Sequence, residues 1–291
     1  MKKKALITMG CSFTEGVGCY DYSQLPDNKT VEELNSAEFS KYYGTQLDNF
    51  LEGSWGTHLQ KLMGYDLHIN CGIGGSSNSH QLKNFMDTMA NWPDLTEYDV
   101  LVIWQMTYSH RFSFYEKGVP TTFGFNGVRT HDKLDGEDIP GHYNNFVKSF
   151  IHRQADMLFE NMALESLFHL RCFIEICKSK GYSFLFSTVG DDESDEYINK
   201  YLSDSHIDKF IQIYDLELKM RKPPLHYAFS KNNKVAHCGH PMSDGYKSMA
   251  NKYFEWISSR NAAKRGDTKD NFVQIPMNRD YNILVEEKKL I

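Results

Sequence analysis

A serine, a cluster of glycines and a histidine stand where apolar runs end or a helical pattern begins. Ser12 follows the apolar run 4–9, glycines and asparagines fill residues 70–78, and His240 precedes the last helical pattern. Serine is a weak nucleophile unless a histidine takes its proton, and the oxyanion that forms needs fixed hydrogen-bond donors. A serine, glycines and a histidine at these places predict acyl transfer.

Three short segments carry this pattern. Residues 10–16 are Gly-Cys-Ser-Phe-Thr-Glu-Gly, residues 70–75 are Asn-Cys-Gly-Ile-Gly-Gly, and residues 240–241 are His-Pro. They resemble the blocks Gly-Asp-Ser-x-Thr-x-Gly, Asn-x-Gly-x-x-Gly and Asp-x-x-His-Pro of the SGNH (GDSL) hydrolase family. The resemblance implies that Ser12 attacks and that its own N–H donates to the oxyanion. It also places Gly75 on the family's oxyanion glycine and makes the histidine the general base.

The third block of the family departs from its pattern here. The family has Gly-x-Asn-Asp after the central strand, where residues 104–108 are Trp-Gln-Met-Thr-Tyr. Strand ends align Thr107 with the family's asparagine, and a hydroxyl can donate one hydrogen bond in its place. Asn78 and Arg111, at neighbouring strand ends, are predicted to bind substrate. The pattern Trp104, Thr107 and Arg111 resembles divergent family members encoded by tailed phages.

The acid of the last block is also replaced. His237 stands three residues before His240, and a neutral histidine cannot stabilise an imidazolium as a carboxylate does. Either Ser12 and His240 act as a dyad, or another acid such as Asp215 orients His240, or the site is no longer catalytic. Loss of the acid costs on the order of 10⁴ in rate in tested triads, which leaves catalysis above background.

The elements that must position these residues alternate between strands and helices. The β-branched run 99–104 is typical of a parallel strand buried on both faces. Such alternation predicts a three-layer α/β/α sandwich of flavodoxin-like type around a mostly parallel sheet of about five strands, with ligands at the carboxyl ends. Strands are expected at 4–9, 65–70, 99–104, 182–188 and 210–214, and helices at 55–63, 81–90, 154–180 and 242–258.

The chain divides into one large domain and a tail. Residues 1–260 are predicted to form the SGNH-like domain, with insertions at about 19–50 and 112–150, and residues 261–291 a C-terminal tail that becomes ordered only against a protein partner. Specificity in such folds lies in loops. The Tyr, Phe and Asn residues of both insertions suit stacking on sugars, which makes a small-molecule or carbohydrate ester the expected substrate.

Composition narrows the function classes. With 41% hydrophobic and 14% aromatic residues in 291, and no apolar stretch of roughly 18 residues, the chain is neither disordered nor membrane-spanning. A formal net charge of −6 argues against nucleic acid as partner. Six cysteines without a CxxC pair predict reduced thiols and no zinc signature, so no metal and no cofactor is expected. The apolar run 4–9 is too short for a signal peptide, so a cytoplasmic location is expected. For a phage-encoded chain, the expected location is the host cytoplasm or the virion.

Two functions from different classes remain. The first is a serine esterase of SGNH type, with carbohydrate deacetylation as its finer form. The alternative is a catalytically impaired SGNH-fold protein with a structural or binding role, for example in a phage particle. A nucleotide-binding fold ranks third, because the glycine-rich phosphate motifs are missing. Ser12 as a helix cap, and His240 as an ordinary surface or core histidine, are the non-functional interpretations.

Overall fold

The computed structural model describes residues 2–25, 29–91, 95–107, 111–116, 119–124, 165–166, 168–189, 225–230 and 233–265. Two short 3₁₀ turns lie at Tyr22–Gln24 and Val31–Glu33. The strands are β1 (Lys3–Gly10), β2 (Leu67–Gly72), β3 (Tyr98–Met106), β4 (Arg111–Glu116), β5 (Val119–Gly124) and β6 (Ser183–Thr188). The helices are α1 (Ser12–Glu15), α2 (Ser36–Thr45), α3 (Leu47–Gly53), α4 (Trp55–Met63), α5 (Asn78–Asn91), α6 (168–180), α7 (Leu225–Ala228) and α8 (Ser243–Arg265).

The central sheet is parallel, with strand order β2-β1-β3-β6. Ile7 of β1 pairs with Ile69 of β2 on one side and Val102 of β3 on the other. This order, with β1 between β2 and β3, is that of flavodoxin-like folds. The predicted α/β sandwich with a mostly parallel sheet is therefore confirmed, with four strands described. The strand expected at 210–214 lies outside the described residues.

Helices cover both faces of this sheet. Side chains from α5 and α6, such as Phe85 and Phe173, pack on one face around Trp104. Side chains from α4, α7 and α8 pack on the other face, where Trp55 stacks on Tyr253 at 4.5 Å. Alternate residues of the central strands pack in the two cores, which is why residues 100–104 of β3 are all apolar.

Local sequence signals explain the helix that was predicted most closely. Ser54 caps α4 by accepting the Thr57 N–H at 3.3 Å, and Gly64 ends the helix at φ +63°, in the left-handed region that favours glycine. Trp55 and Leu59, one turn apart, are buried on the sheet. The helix expected at 55–63 is therefore confirmed at those bounds.

The segment 19–50 differs from its prediction. It was interpreted as a polar insertion without clear periodicity, yet it contains both 3₁₀ turns, α2 and α3. Asn35 begins α2 by accepting the Ala37 and Glu38 N–H groups, so capping rather than periodicity specifies this helix. Its aromatic residues form a third core in which Tyr20 stacks on Tyr42 at 5.8 Å.

Other bounds shift by a few residues. The second strand begins at Leu67 rather than 65, and the last helix runs to Arg265, beyond the expected end of the domain. The second insertion begins as the antiparallel hairpin β4–β5. Residues 125–164 and the tail from 266 lie outside the described part. Within the described ranges, none of the helices combines the length and apolarity needed to cross a membrane.

A buried histidine joins the sheet to α4. His68 of β2 shares hydrogen bonds with the Thr8 hydroxyl (Nε2, 2.9 Å) and with the Thr57 hydroxyl (Nδ1, 3.0 Å). Burial lowers the pKa of His68 from 6.5 to about 4. The folded chain therefore keeps this imidazole neutral at pH values where the unfolded chain binds a proton.

We expect this difference to make the protein sensitive to acid. As pH falls from 6.5 to about 4, His68 binds a proton in the unfolded state but stays neutral in the native state. The free energy of unfolding therefore falls by on the order of 3 kcal/mol over this range. In His68→Gln, which has no titrating ring, urea unfolding at a series of pH values should show a flatter dependence over this window. A wild-type dependence retained in full by the variant would contradict this assignment.

Candidate active site

The carboxyl ends of β1 and β3 meet where the strand order changes direction. Open α/β sheets bind ligands in the crevice at this point. Ser12 follows β1 as the first residue of α1, and Thr107 follows β3 directly. Two of the predicted site residues are thus placed at the expected edge of the sheet.

Ser12 and His240 are in direct contact. Ser12 Oγ lies 2.7 Å from His240 Nε2, and His240 Nδ1 lies 3.2 Å from the carbonyl oxygen of Cys238. A carbonyl only accepts, so Nδ1 carries the proton of the neutral ring and Nε2 accepts from the Ser12 hydroxyl. This is the tautomer that a general base for serine requires. Cys11, not Ser12, is the N-cap of α1, so Ser12 does not have the capping role.

A tight loop before α8 positions His240. The Ala236 N–H donates to the His240 carbonyl at 2.8 Å, and Val235 pairs with Pro241 in an isolated bridge. Gly18, at φ +114°, lies so close that a Cβ there would be 3.0 Å from His240 Cβ. Phe13, beside the nucleophile, packs its ring 4.8 Å from the imidazole.

Burial and the charge of Arg111 both lower the pKa of His240. Burial is the largest influence on the pKa of His240 and lowers it; the Cys238 carbonyl opposes this, and the nearby Arg111 and His237 lower the pKa further. His237 does not pair with His240; its Nδ1 shares a hydrogen bond with the Tyr22 hydroxyl at 3.2 Å. Within the described ranges, the His240 ring has no carboxylate partner, and Asp215 lies outside them. The base is therefore held by a neutral acceptor and stays unprotonated to lower pH than an ordinary histidine.

Thr107 and Asn78 are joined at the end of β3. Asn78 accepts the Thr107 N–H at 2.9 Å and donates to the Thr107 carbonyl and to Ser166 Oγ, both at 3.1 Å. Asn78 is 3% exposed. Its amide thus supports the strand end, whereas substrate binding by Asn78 stays a prediction. The Thr107 hydroxyl is buried and has no hydrogen-bond partner in the described part of the chain.

Two backbone N–H groups near the nucleophile are available. Gly75 is exposed, at φ +70°, and neither its N–H nor that of Ser12 makes a hydrogen bond to another described residue. A Cβ on Gly74 would lie 3.8 Å from Ser12 Cβ, so this turn passes beside the serine. These groups can serve as donors to a developing oxyanion.

Three residues that support the site were not predicted from the sequence: Cys238, Glu15 and Tyr43. The Cys238 carbonyl holds His240, and Glu15 accepts the Gly74 N–H at 2.6 Å and the Tyr43 hydroxyl at 3.3 Å. Glu15 lies inside the first motif, but at a position that the motif leaves open. A backbone carbonyl and a contact with a distant helix carry no sequence signal.

Three of the six cysteines, Cys11, Cys71 and Cys238, lie in or next to the motif segments 10–16, 70–75 and 240–241. Cys11 and Cys71 are buried, and burial raises the pKa of the Cys71 thiol to about 11, whereas Cys238 is exposed. No group of three or more His, Cys, Asp or Glu side chains arranged to hold a metal ion occurs among the described residues.

Comparison with known proteins finds no matching family model and no matching curated protein. Solved structures do match across 88% of this chain. They include a protein assigned to the lipolytic G-D-S-L family from Desulfitobacterium hafniense (13% identity, TM-score 0.42, 99% of that chain) and TesA (12%, 0.40, 99%). A third is a member of the same lipolytic family from Veillonella parvula (10%, 0.38, 98%). None of these three is described as a phage protein, so the expected resemblance to phage-encoded members is not supported.

The electrostatics of His240 give a prediction that needs no substrate. Arg111→Gln removes a positive charge, so the pKa of His240 should rise toward its ordinary value, whereas Arg111→Lys should leave it low. Histidine ring signals followed by NMR over pH would measure this shift. An unchanged pKa in Arg111→Gln would show that burial alone sets it.

Proposed function

We propose that this protein is a serine ester hydrolase of SGNH type. The observation that carries the proposal is the 2.7 Å contact between Ser12 Oγ and His240 Nε2, with Nδ1 held by the Cys238 carbonyl. Burial and the nearby charge of Arg111 lower the pKa of His240 and so favour its neutral form, which is the form that accepts a proton. A serine and a neutral, oriented histidine at the carboxyl end of a parallel sheet suit acyl transfer.

In the proposed reaction, Ser12 Oγ attacks the ester carbonyl while His240 takes its proton. The ester then loses its alcohol, which receives that proton from His240, and an acyl group remains on Ser12. Water, deprotonated by His240, attacks the acyl carbon; the bond between this carbon and Ser12 Oγ breaks, His240 returns the proton to Ser12 Oγ, and the carboxylic acid is released. The N–H groups of Ser12 and Gly75, with the Thr107 hydroxyl, are the proposed oxyanion donors. No cofactor takes part in these steps.

A polar aromatic residue beside the site supports a carbohydrate ester as the finer proposal. Tyr22, from the first insertion, is 38% exposed and contacts His237, three residues before the proposed base. A partly exposed tyrosine offers a face for a sugar ring and a hydroxyl for its polar groups. Arg111, whose charge reaches His240, stays the proposed contact for polar or anionic groups of the substrate.

One observation favours the second candidate, an SGNH-fold protein whose catalysis is impaired. The His240 ring lies near the charge of Arg111 and has no carboxylate partner among the described residues. Within that part of the chain, the dipole of the Cys238 carbonyl is what would stabilise an imidazolium formed during attack. Such a site would retain binding while turning over slowly.

Replacement of the nucleophile separates the two candidates. Ser12→Ala should abolish labelling by a fluorophosphonate and reduce p-nitrophenyl acetate hydrolysis to background, while circular dichroism stays unchanged. Ser179→Ala, at an exposed serine of α6, is the matched control and should label and turn over as wild type does. Equal turnover by wild type and Ser12→Ala would refute the esterase and favour the binding role.

Removal of the Thr107 hydroxyl is expected to lower the activity without lowering the stability of the protein. Thr107→Val removes a buried hydroxyl without a described partner, so the free energy of unfolding should stay the same or rise by up to about 1 kcal/mol. If the hydroxyl serves the oxyanion, kcat should fall roughly 10²-fold. Urea unfolding and ester kinetics on the same preparation test both, and a variant with wild-type kcat would remove Thr107 from the proposed donors.

A further inference from the structure

Glu15 joins the nucleophile helix to the glycine turn, which we define as residues 73–75. Glu15 is the last residue of α1, and its Oε2 accepts the Gly74 N–H at 2.6 Å while Oε1 accepts the Tyr43 hydroxyl at 3.3 Å. Burial raises the pKa of this carboxyl, and both hydrogen bonds oppose that rise. The carboxyl group thus bridges three elements that are separate in sequence.

The three N–H groups of the glycine turn have different environments. The Ile73 N–H donates to the Gly10 carbonyl at 3.0 Å, which fixes the start of the turn to β1. The Gly74 N–H donates to Glu15, and the Gly75 N–H makes no hydrogen bond within the described ranges. Two anchored N–H groups therefore precede the free one, and the second anchor is a side chain.

Gly74 and the carboxylate of Glu15 approach each other closely. A Cβ on residue 74 would lie 2.8 Å from Glu15 Oε2, so the carboxylate would have to move, although the backbone of Gly74 is outside the left-handed region. The same Cβ would lie at an ordinary 3.8 Å from Ser12 Cβ. The backbone conformation of residue 74 therefore permits alanine, and its Cβ would not crowd Ser12. The Cβ would crowd the Glu15 carboxylate.

Glu15 does not serve as the missing acid of the catalytic pair. Its two oxygens bind Gly74 and Tyr43, and the charges that act on His240 are those of Arg111 and His237. The titratable side chains whose charges couple to Glu15 are Tyr43 and Tyr246, both neutral at ordinary pH because burial raises their pKa values. The contact that links the Glu15 side chain to a proposed oxyanion donor is its hydrogen bond to the glycine turn.

We propose that Glu15 is a positioning residue that fixes the glycine turn, so that the Gly75 N–H faces the oxyanion formed at Ser12. This inference rests on the proposed esterase function and deepens it. Because the hydrogen bond acts on a donor needed only in the transition state, its loss lowers kcat and leaves KM nearly unchanged.

The test uses the full chain and p-nitrophenyl acetate. Glu15→Ala should lower kcat by roughly 10- to 100-fold with KM within about twofold, since misplacing one oxyanion donor costs part of its full worth. Glu15→Gln should stay within about threefold of wild type, because its amide oxygen still accepts the Gly74 N–H. Glu52→Ala, at an exposed glutamate of α3, is the matched control and should behave as wild type.

A second variant tests the contact from its other side. Gly74→Ala should displace the carboxylate and lower kcat as Glu15→Ala does, and the double variant should be no worse than either single one, because both break the same contact. A wild-type kcat in Glu15→Ala, an equal loss in Glu15→Gln, or additive losses in the double variant would overturn the proposal. The Gly74→Ala result stands even if Glu15→Ala fails to fold.

Amide exchange separates failure of this inference from failure of the proposed function. The Gly74 amide should exchange faster in Glu15→Ala than in wild type and remain protected in Glu15→Gln, whatever the activity. A wild type without Ser12-dependent hydrolysis refutes the esterase, and unchanged Gly74 exchange in Glu15→Ala refutes the positioning role.

Discussion

The hydrogen bond between Ser12 and His240 depends on nearly every other feature of the fold. It joins residues 228 positions apart, over 2.7 Å, and neither side chain reaches the other through local structure. Ser12 is placed by the end of β1, and His240 by the loop that precedes α8, so the packing of α8 on the sheet fixes the contact. A displacement of about 1 Å in such a pair can cost on the order of 10² in rate, which is why both sides are held by close backbone contacts such as that of Gly18.

The partner of Nδ1 gives this pair an unusual electrostatic balance. A carbonyl fixes the ring orientation and tautomer as well as a carboxylate does, but it supplies a dipole in place of a full charge. Arg111 adds positive potential, which favours the neutral imidazole of His240 and disfavours its imidazolium. The same positive potential favours negative charge on a bound group. In the proposed reaction, the electrostatic support of the transition state would therefore lie more at the oxyanion than at the base.

The sequence predicts those parts of the fold that follow from local periodicity. Apolar runs predict β1 and β3, and helical spacing of apolar residues predicts α4 at its observed bounds. Periodicity failed for 19–50, because its helices bury aromatic side chains in a small core of their own and are specified by caps such as Asn35. Motif spacing brought Ser12 and His240 together, whereas the Cys238 carbonyl and the Glu15 contact depend on tertiary packing that no spacing encodes.

The first insertion, residues 19–50, packs directly against the elements that carry Ser12 and His240. Tyr43 of α2 donates to Glu15, and a Cβ on Gly16 would lie 2.1 Å from the Phe50 carbonyl, so α3 presses directly on the end of the nucleophile helix. Tyr22 of the same segment contacts His237 in the loop that carries the base. One segment thus touches the nucleophile helix and the base loop at once. Substitutions in this segment that break these contacts would therefore disturb the geometry of Ser12 and His240.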